Sequence, residues 1–487
     1  MPKSVVIGAG FSGLSTATHL AAKGHEVTVL EKNESPGGRA RVFGASGFTF
    51  DMGPSWYWMP DVFERYFGIF GKKVSDYYDL VRLDPSYRVY FGKDDLIDVP
   101  ANLDELMQLF ESIEKGSAQN LKKFLNEAAY KYEVGINDLV HRPSLKLTEF
   151  MDSRILTSLF KMDLFKSMTT HLKSFFKNER LIKLLEFPVL FLGAKPTEIP
   201  ALYSLMNYAD LKLGTWYPMG GMSKIPEAMH SLALEMGVKF QFNSEVEQIL
   251  IKDRKANKIV SRSGDYEFDH LVASADYHHV DKNLLPKEYS NYKESYWDKR
   301  VMAPSSLLFY LGVDKKIEGL KHHNLFFDRD FSKHAVEIYD DPKWPSEPLF
   351  YVCAPSKTDP SVAPEGKENL FLLMPVAPEL KDDEEIREQY YDLMMDRLEH
   401  ILGEEIRSHV SFKRSYAHSD FKKDYYAFKG NAYGLANTLK QTAILKPSLK
   451  NKKLNNLYYT GQLTVPGPGV PPSIISGEVV AGQILKS

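Results

Sequence analysis

At 487 residues the chain is about three times the usual domain length of roughly 150, so two or three domains with a substantial core are expected. A content of 43% hydrophobic and 26% charged residues excludes a collagen-like, disordered or simple coiled-coil protein. The 61 Lys and Arg residues nearly balance 64 Asp and Glu, so no basic field exists to gather nucleic acid, and the single cysteine, Cys353, excludes a disulfide or a cysteine cluster.

The chain opens on Met1–Ile7, which carries no secretory-signal core. No run reaches the ~18 apolar residues of a spanning helix, the nearest being Phe187 to Gly193, so a cytoplasmic protein with at most peripheral membrane contact is expected. Cys353 then fits a buried apolar role in a reducing compartment.

Ser4 to Ile7 reads as a strand, Gly8-Ala9-Gly10-Phe11-Ser12-Gly13 as a glycine turn, Leu14 to Lys23 as a helix stopped by Gly24, and Val27 to Leu30 as a second strand ending at Glu31. This α/β order is that of a Rossmann-like dinucleotide site built on a parallel sheet. Gly8 permits the tight turn, Gly10 admits a pyrophosphate to the backbone, and Gly13 lets helix and sheet pack. The helix N-terminus favours an anion, and Glu31 can accept from a ribose diol while repelling a 2′-phosphate.

Ser35-Pro36-Gly37-Gly38-Arg39-Ala40 and then Asp51-Met52-Gly53-Pro54-Ser55 follow. Here the chain resembles the flavoprotein superfamily of amine oxidases and carotenoid desaturases. That resemblance implies FAD, with Arg39 near the pyrophosphate, and extends the cofactor site over Phe11, Ser12, Lys32, Gly38, Gly53, Pro54 and Ser55. Tyr217-Pro218-Met219-Gly220-Gly221-Met222 precedes a helical pattern over Ser223 to Met236, and Val238 to Val246 alternates as a strand. The resemblance makes Val246 the residue whose backbone clamps the adenine.

Near the C-terminus, Leu457 to Gly461 reads as a buried strand, followed by a Pro- and Gly-rich turn to Ser473 and a small-residue helix Ile474 to Ile484. Such a turn presents backbone N–H groups to the electron-rich end of a reduced flavin. Pro466-Gly467-Pro468-Gly469-Val470-Pro471 resembles the bacterial phytoene desaturase family of carotenoid desaturases, with Val465 in place of a common His and Gln462-Leu463 in place of smaller residues. Gly461, Gly469, Val470 and Pro471 are thereby implied as flavin contacts. With no Cys or His in the turn, the FAD is expected to be noncovalent.

Between these segments, Leu80 to Trp216 is mostly helical in pattern, and Arg154 to Lys183 places Leu, Phe and Met at spacings of three or four among basic residues, as an amphipathic membrane-surface helix does. Core packing produces the same stripe. From Asp276 to Lys440, strand-like runs such as Ser306 to Leu311 and Asn369 to Met374 accompany one clear helix, Glu384 to Leu402. The resemblance makes this an interleaved mixed-sheet substrate domain. The division expected is residues 1–79, 217–275 and 441–487 for FAD, 80–216 for a helical, membrane-facing region, and 276–440 for substrate. The pairs His278-His279 and His322-His323 lack metal-ligand spacing, so no metal is expected.

The resemblance implies hydride transfer from an acyclic carotenoid to the flavin. A 1-hydroxylated substrate undergoing 3,4-desaturation fits best, at the inner face of the cell membrane, with oxygen or a quinone as electron acceptor. Phytoene desaturation to lycopene or neurosporene, amine oxidation, and noncatalytic carotenoid binding remain alternatives. The residues identify no proton-accepting base.

Overall fold

In the computed structural model, residues 1–150, 163, 166–190 and 193–487 are described. β1 (Lys3–Ile7), α1 (Phe11–Ala21) and β2 (Glu26–Leu30) form the expected unit. α1 begins earlier than its apolar spacing suggests, because Gly10 is extended at the N-cap and Phe11, Ser12 and Gly13 make the first turn. β1 is central in a five-stranded parallel sheet ordered Leu457–Tyr459, His270–Ala273, β1, β2, Lys239–Gln241. Val5, Val6 and Ile7 are all buried, as a parallel strand covered on both faces requires.

The C-terminal helix Val470–Ile484 starts four residues before the predicted Ile474, since Pro471 and Pro472 suit a first turn that needs no donor. It lies directly on α1, where Ser15 Oγ donates to Ile474 O at 2.7 Å and Thr16 Oγ1 to Gly477 O at 3.1 Å. Both ends of the chain therefore meet at one site.

A seven-stranded mixed sheet forms the second layer, ordered Val410–Tyr416, Ser305–Val313, Glu368–Val376, Phe350–Cys353, His323–Phe326, Tyr87–Tyr90, Leu96–Val99. Alternation divides its side chains. Leu308, Tyr310, Phe371 and Leu373 join the main core, whereas Leu307, Phe309, Leu372 and Met374 join a second core with the helix Glu384–Leu402.

Three sequence expectations change. The helical pattern from Leu80 instead begins with strands Leu80–Arg82, Tyr87–Tyr90 and Leu96–Val99, the last two forming a hairpin at one end of the large sheet, with Leu96–Val99 at its edge. The strand expected over Val238 to Val246 is two, Lys239–Gln241 and Val246–Lys252, in different sheets, broken at Asn243 with φ +53°.

Of the Arg154 to Lys183 stripe, residues 154–162, 164 and 165 lie outside the described residues. The described remainder is two helices, Met168–Lys173 and Glu179–Leu190, not one. Met168, Leu172 and Phe176 are buried in the core, so these three do not face lipid. Among the described residues no helix is long and apolar enough to cross a membrane.

Candidate functional site

At the carboxyl ends of the parallel strands, where open α/β sheets take ligands, lies a cavity of about 420 Å³. Gly8, Gly10, Phe11, Ser12, Glu31, Lys32, Gly38, Arg39, Gly53, Pro54, Ser55, Val246, Gly461, Gly469, Val470 and Pro471 all line it. Gly13 is not among its lining residues. A Cβ there would lie 2.0 Å from Gly8 O, so Gly13 serves the close packing of α1 on the strand turn.

Glu31 is buried at one end. Its Oε2 accepts from Ala9 N–H at 2.7 Å and its Oε1 from Asn33 N–H and Nδ2, each at 2.9 Å. Of about four acceptor positions on a carboxylate, one remains for a ribose hydroxyl. Ser244 N–H donates to Glu31 O at 2.8 Å, which brings Val246 to the same end. Lys32 Nζ donates to Lys423 O and sits 3.8 Å above the Tyr426 ring. Burial lowers its pKa. Tyr426 hydrogen-bonds Glu245 and stacks on His279, closing this wall.

Arg39 occupies the middle. Gly53 lies so close to it that a Cβ there would sit 2.2 Å from Arg39 O. Gln462, in the amide orientation that suits both its ends, accepts from Arg39 Nη1 and Nη2 at 3.3 and 3.0 Å. Burial lowers the guanidinium's pKa, opposed by Asp276 and Tyr425. Gln462 departs from the small residue of the resembling family, and its positioning role was not visible before Arg39 was placed in space.

The inner end runs beneath the large sheet, with Trp56, Trp58, Leu308, Phe371 and Leu373 as apolar wall and Ser55, Ser306, Tyr351 and Tyr433 bringing hydroxyls. Tyr351 OH donates to Ser55 Oγ at 3.1 Å. Asp51 lies just outside, accepting from Met222 N–H and Ser223 N–H at 2.7 and 3.0 Å, and burial raises its pKa to about 6. Behind Tyr351, His322, His323 and Cys353 converge. Adjacency of two histidines in sequence said nothing of this, because the cysteine arrives through strand pairing.

The arrangement fits a flavin dinucleotide. A Cβ at Gly10 would meet nothing within 4 Å and would project into cavity space. Arg39 Nε is buried with no partner among the described residues. α1 has no acidic residue in its first turn and no side-chain cap, leaving its N–H groups to an anion. In the first three positions of the C-terminal helix only Val470 has an N–H, and Val470 lines the cavity.

Comparison with known proteins agrees. The model of the family "Flavin containing amine oxidoreductase" matches residues 11–485. The chain is 41% identical over 484 residues to a carotenoid 3,4-desaturase of Haloarcula japonica, covering 99% of this chain and 97% of that protein. It is 34% identical over 500 residues to a 4,4'-diapophytoene desaturase (4,4'-diaponeurosporene-forming) of Staphylococcus aureus, covering 99% of both. The fold is shared with an oxidoreductase from Methanosarcina mazei, at 18% identity and a TM-score of 0.66 over 100% of both chains. The chain belongs to the flavin containing amine oxidoreductase family, among its carotenoid desaturases, and its cofactor is FAD.

Proposed function

We propose that the protein desaturates an acyclic carotenoid, with a 1-hydroxylated substrate and the 3,4 bond preferred. The observation that carries this is full-length similarity to a carotenoid 3,4-desaturase, joined to one cavity that runs from the dinucleotide turn to an apolar chamber. Bound FAD, held without a covalent link, supplies the hydride acceptor. The chain's residues do the rest.

The α1 N-terminus and Arg39 would hold the pyrophosphate, Glu31 and the Val246 backbone the adenosine, and Gly461 and Gly469 to Pro471 the flavin end. Trp56, Trp58, Leu308 and Phe371 exclude water and align the polyene. The carbon that bears the hydroxyl, C1, is only two bonds from C3, so the group that recognises the hydroxyl must share the reaction chamber. Ser306 and Tyr433, which bring hydroxyls to that wall, supply that group. A site built to hydrogen-bond a hydroxyl rejects the analogue lacking it.

Residues 1–79, 217–275 and 441–487 serve FAD and 276–440 serve substrate, with the hairpin Tyr87–Val99 of 80–216 extending that sheet. The substrate is drawn from the inner face of the cell membrane by a peripherally bound protein, and electrons leave to oxygen or a quinone. Product chromatography after incubation with 1-hydroxylated and unhydroxylated carotenoids tests the reading. Equal turnover of both, unaffected by Tyr433→Phe, contradicts the hydroxyl preference and favours a phytoene-type desaturase.

A further inference from the structure

We infer that His322, His323 and Cys353 form a binding site for one zinc ion, set behind the inner wall of the cavity. One potential ligand atom from each lies within 4.8 Å of the other two. The strand register accomplishes this. His323 and Cys353 are directly opposed in the antiparallel pair His323–Phe326 and Phe350–Cys353, so their side chains leave the same face. His322, immediately before the strand, brings its ring centroid to 4.5 Å from that of His323.

Independent observations call for a ligand there. His322 Nδ1 is engaged by Thr358 Oγ1 at 2.8 Å and His323 Nδ1 by Tyr351 OH at 2.6 Å. Both Nε2 atoms are buried with no partner among the described residues, on residues 5% and 0% exposed. Metal-bound imidazoles are held in this way, one nitrogen anchored on an oxygen and the other given to the metal. Without a ligand, two ring nitrogens are desolvated with no compensation.

A cavity of about 20 Å³, lined by His322 and Cys353, adjoins them and has room for one water as a fourth ligand. Two imidazoles, a thiolate and a water make a tetrahedral set that suits Zn²⁺. On binding, the Cys353 S–H bond gives way to an S–Zn bond and the proton passes to solvent.

The site has a consequence at the cavity wall. Zinc on His323 Nε2 places that ring's proton on Nδ1, which then donates to Tyr351 OH, and Tyr351 in turn donates to Ser55 Oγ. The cation thereby orients the hydroxyl chain that lines the cavity and pins two neighbouring strands of the large sheet. The inference does not depend on which carotenoid is the substrate.

The test uses the FAD-loaded protein produced in medium with Co²⁺ in place of Zn²⁺. Cys353 is the chain's only cysteine, so a cobalt–thiolate absorption band can come from no other residue. Tetrahedral cobalt also absorbs at longer wavelengths than oxidised flavin. The wild type is expected to carry about one metal per chain with both signatures. Cys353→Ser and His323→Gln, checked for retained flavin and unchanged melting, should lose the thiolate band or the tetrahedral spectrum and bind metal at least about tenfold more weakly. If His323→Gln does not fold, Cys353→Ser alone decides. Folded wild type with no stoichiometric cobalt or zinc overturns the inference. Undiminished metal in Cys353→Ser overturns it equally.

Discussion

Ala9 donates its backbone N–H to Glu31 Oε2 at 2.7 Å, so the acid that ends the second strand is tied to the glycine turn after the first. Glu31 therefore holds the turn as well as facing the ribose. Glu31→Ala should weaken FAD binding and destabilise the apoprotein together, by about 1–3 kcal/mol for the orphaned N–H alone. FAD titration and urea unfolding of the apoprotein measure the two effects. Unchanged values for both contradict this double role.

Gly10 and Gly13 belong to one motif but answer to different neighbours. A Cβ at Gly10 enters open cavity, whereas one at Gly13 lies 2.0 Å from Gly8 O. Gly10→Val should leave apoprotein melting nearly unchanged and abolish FAD retention. Gly13→Ala should cost about 1–3 kcal/mol of folding stability, because backbone must move. Melting curves and flavin content check both, and a reversed pattern contradicts the assignment.

Lys446 is buried beside Gly467, its Nζ 2.9 Å from Asn437 Oδ1, and burial brings its pKa from 10.5 down to about 7. The folded pKa lies below the unfolded one, so unfolding takes up a proton between these values and stability rises with pH across that window. Lys446→Gln removes the contribution. From about pH 7.5 to about pH 9 the stability of the wild type relative to the variant should grow by about 2 kcal/mol in urea unfolding. A constant difference contradicts the burial of a titrating ammonium.

Lys173 and Lys177 are exposed on a segment whose described apolar residues Met168, Leu172 and Phe176 face the core. Any docking by this part is therefore electrostatic, worth about 1 kcal/mol per lysine near an anionic surface. Lys166→Glu, Lys173→Glu and Lys177→Glu together should weaken flotation with anionic vesicles at low salt, and added salt should weaken wild-type binding likewise. Equal flotation of both proteins removes this segment from the docking face.

Local patterns carried much of the fold. The β1–α1–β2 unit was legible because a glycine turn, a helical period and a terminal acid are adjacent in sequence, and the helix Glu384–Leu402 because its period is long and uninterrupted. Tyr87–Tyr90 was not legible, since only one of its two partners, Leu96–Val99, is near in sequence, and the pairing with the remote His323–Phe326 is what joins that hairpin to the large sheet. The helix start at Val470 was hidden because two prolines read as turn until they are placed in a first helical turn. At the site, motif residues were readable, but Gln462 on Arg39 and the approach of His322 and His323 to Cys353 are products of tertiary register.

The central claim is that this cavity brings a hydroxylated acyclic carotenoid to FAD for dehydrogenation. Its most direct test is anaerobic mixing of FAD-loaded protein with that carotenoid in vesicles, followed by flavin absorbance and product chromatography. Oxidised flavin should bleach as a product with one further double bond forms, faster than with the unhydroxylated carotenoid. Flavin that stays oxidised with every carotenoid, but is bleached by an amine, contradicts the account.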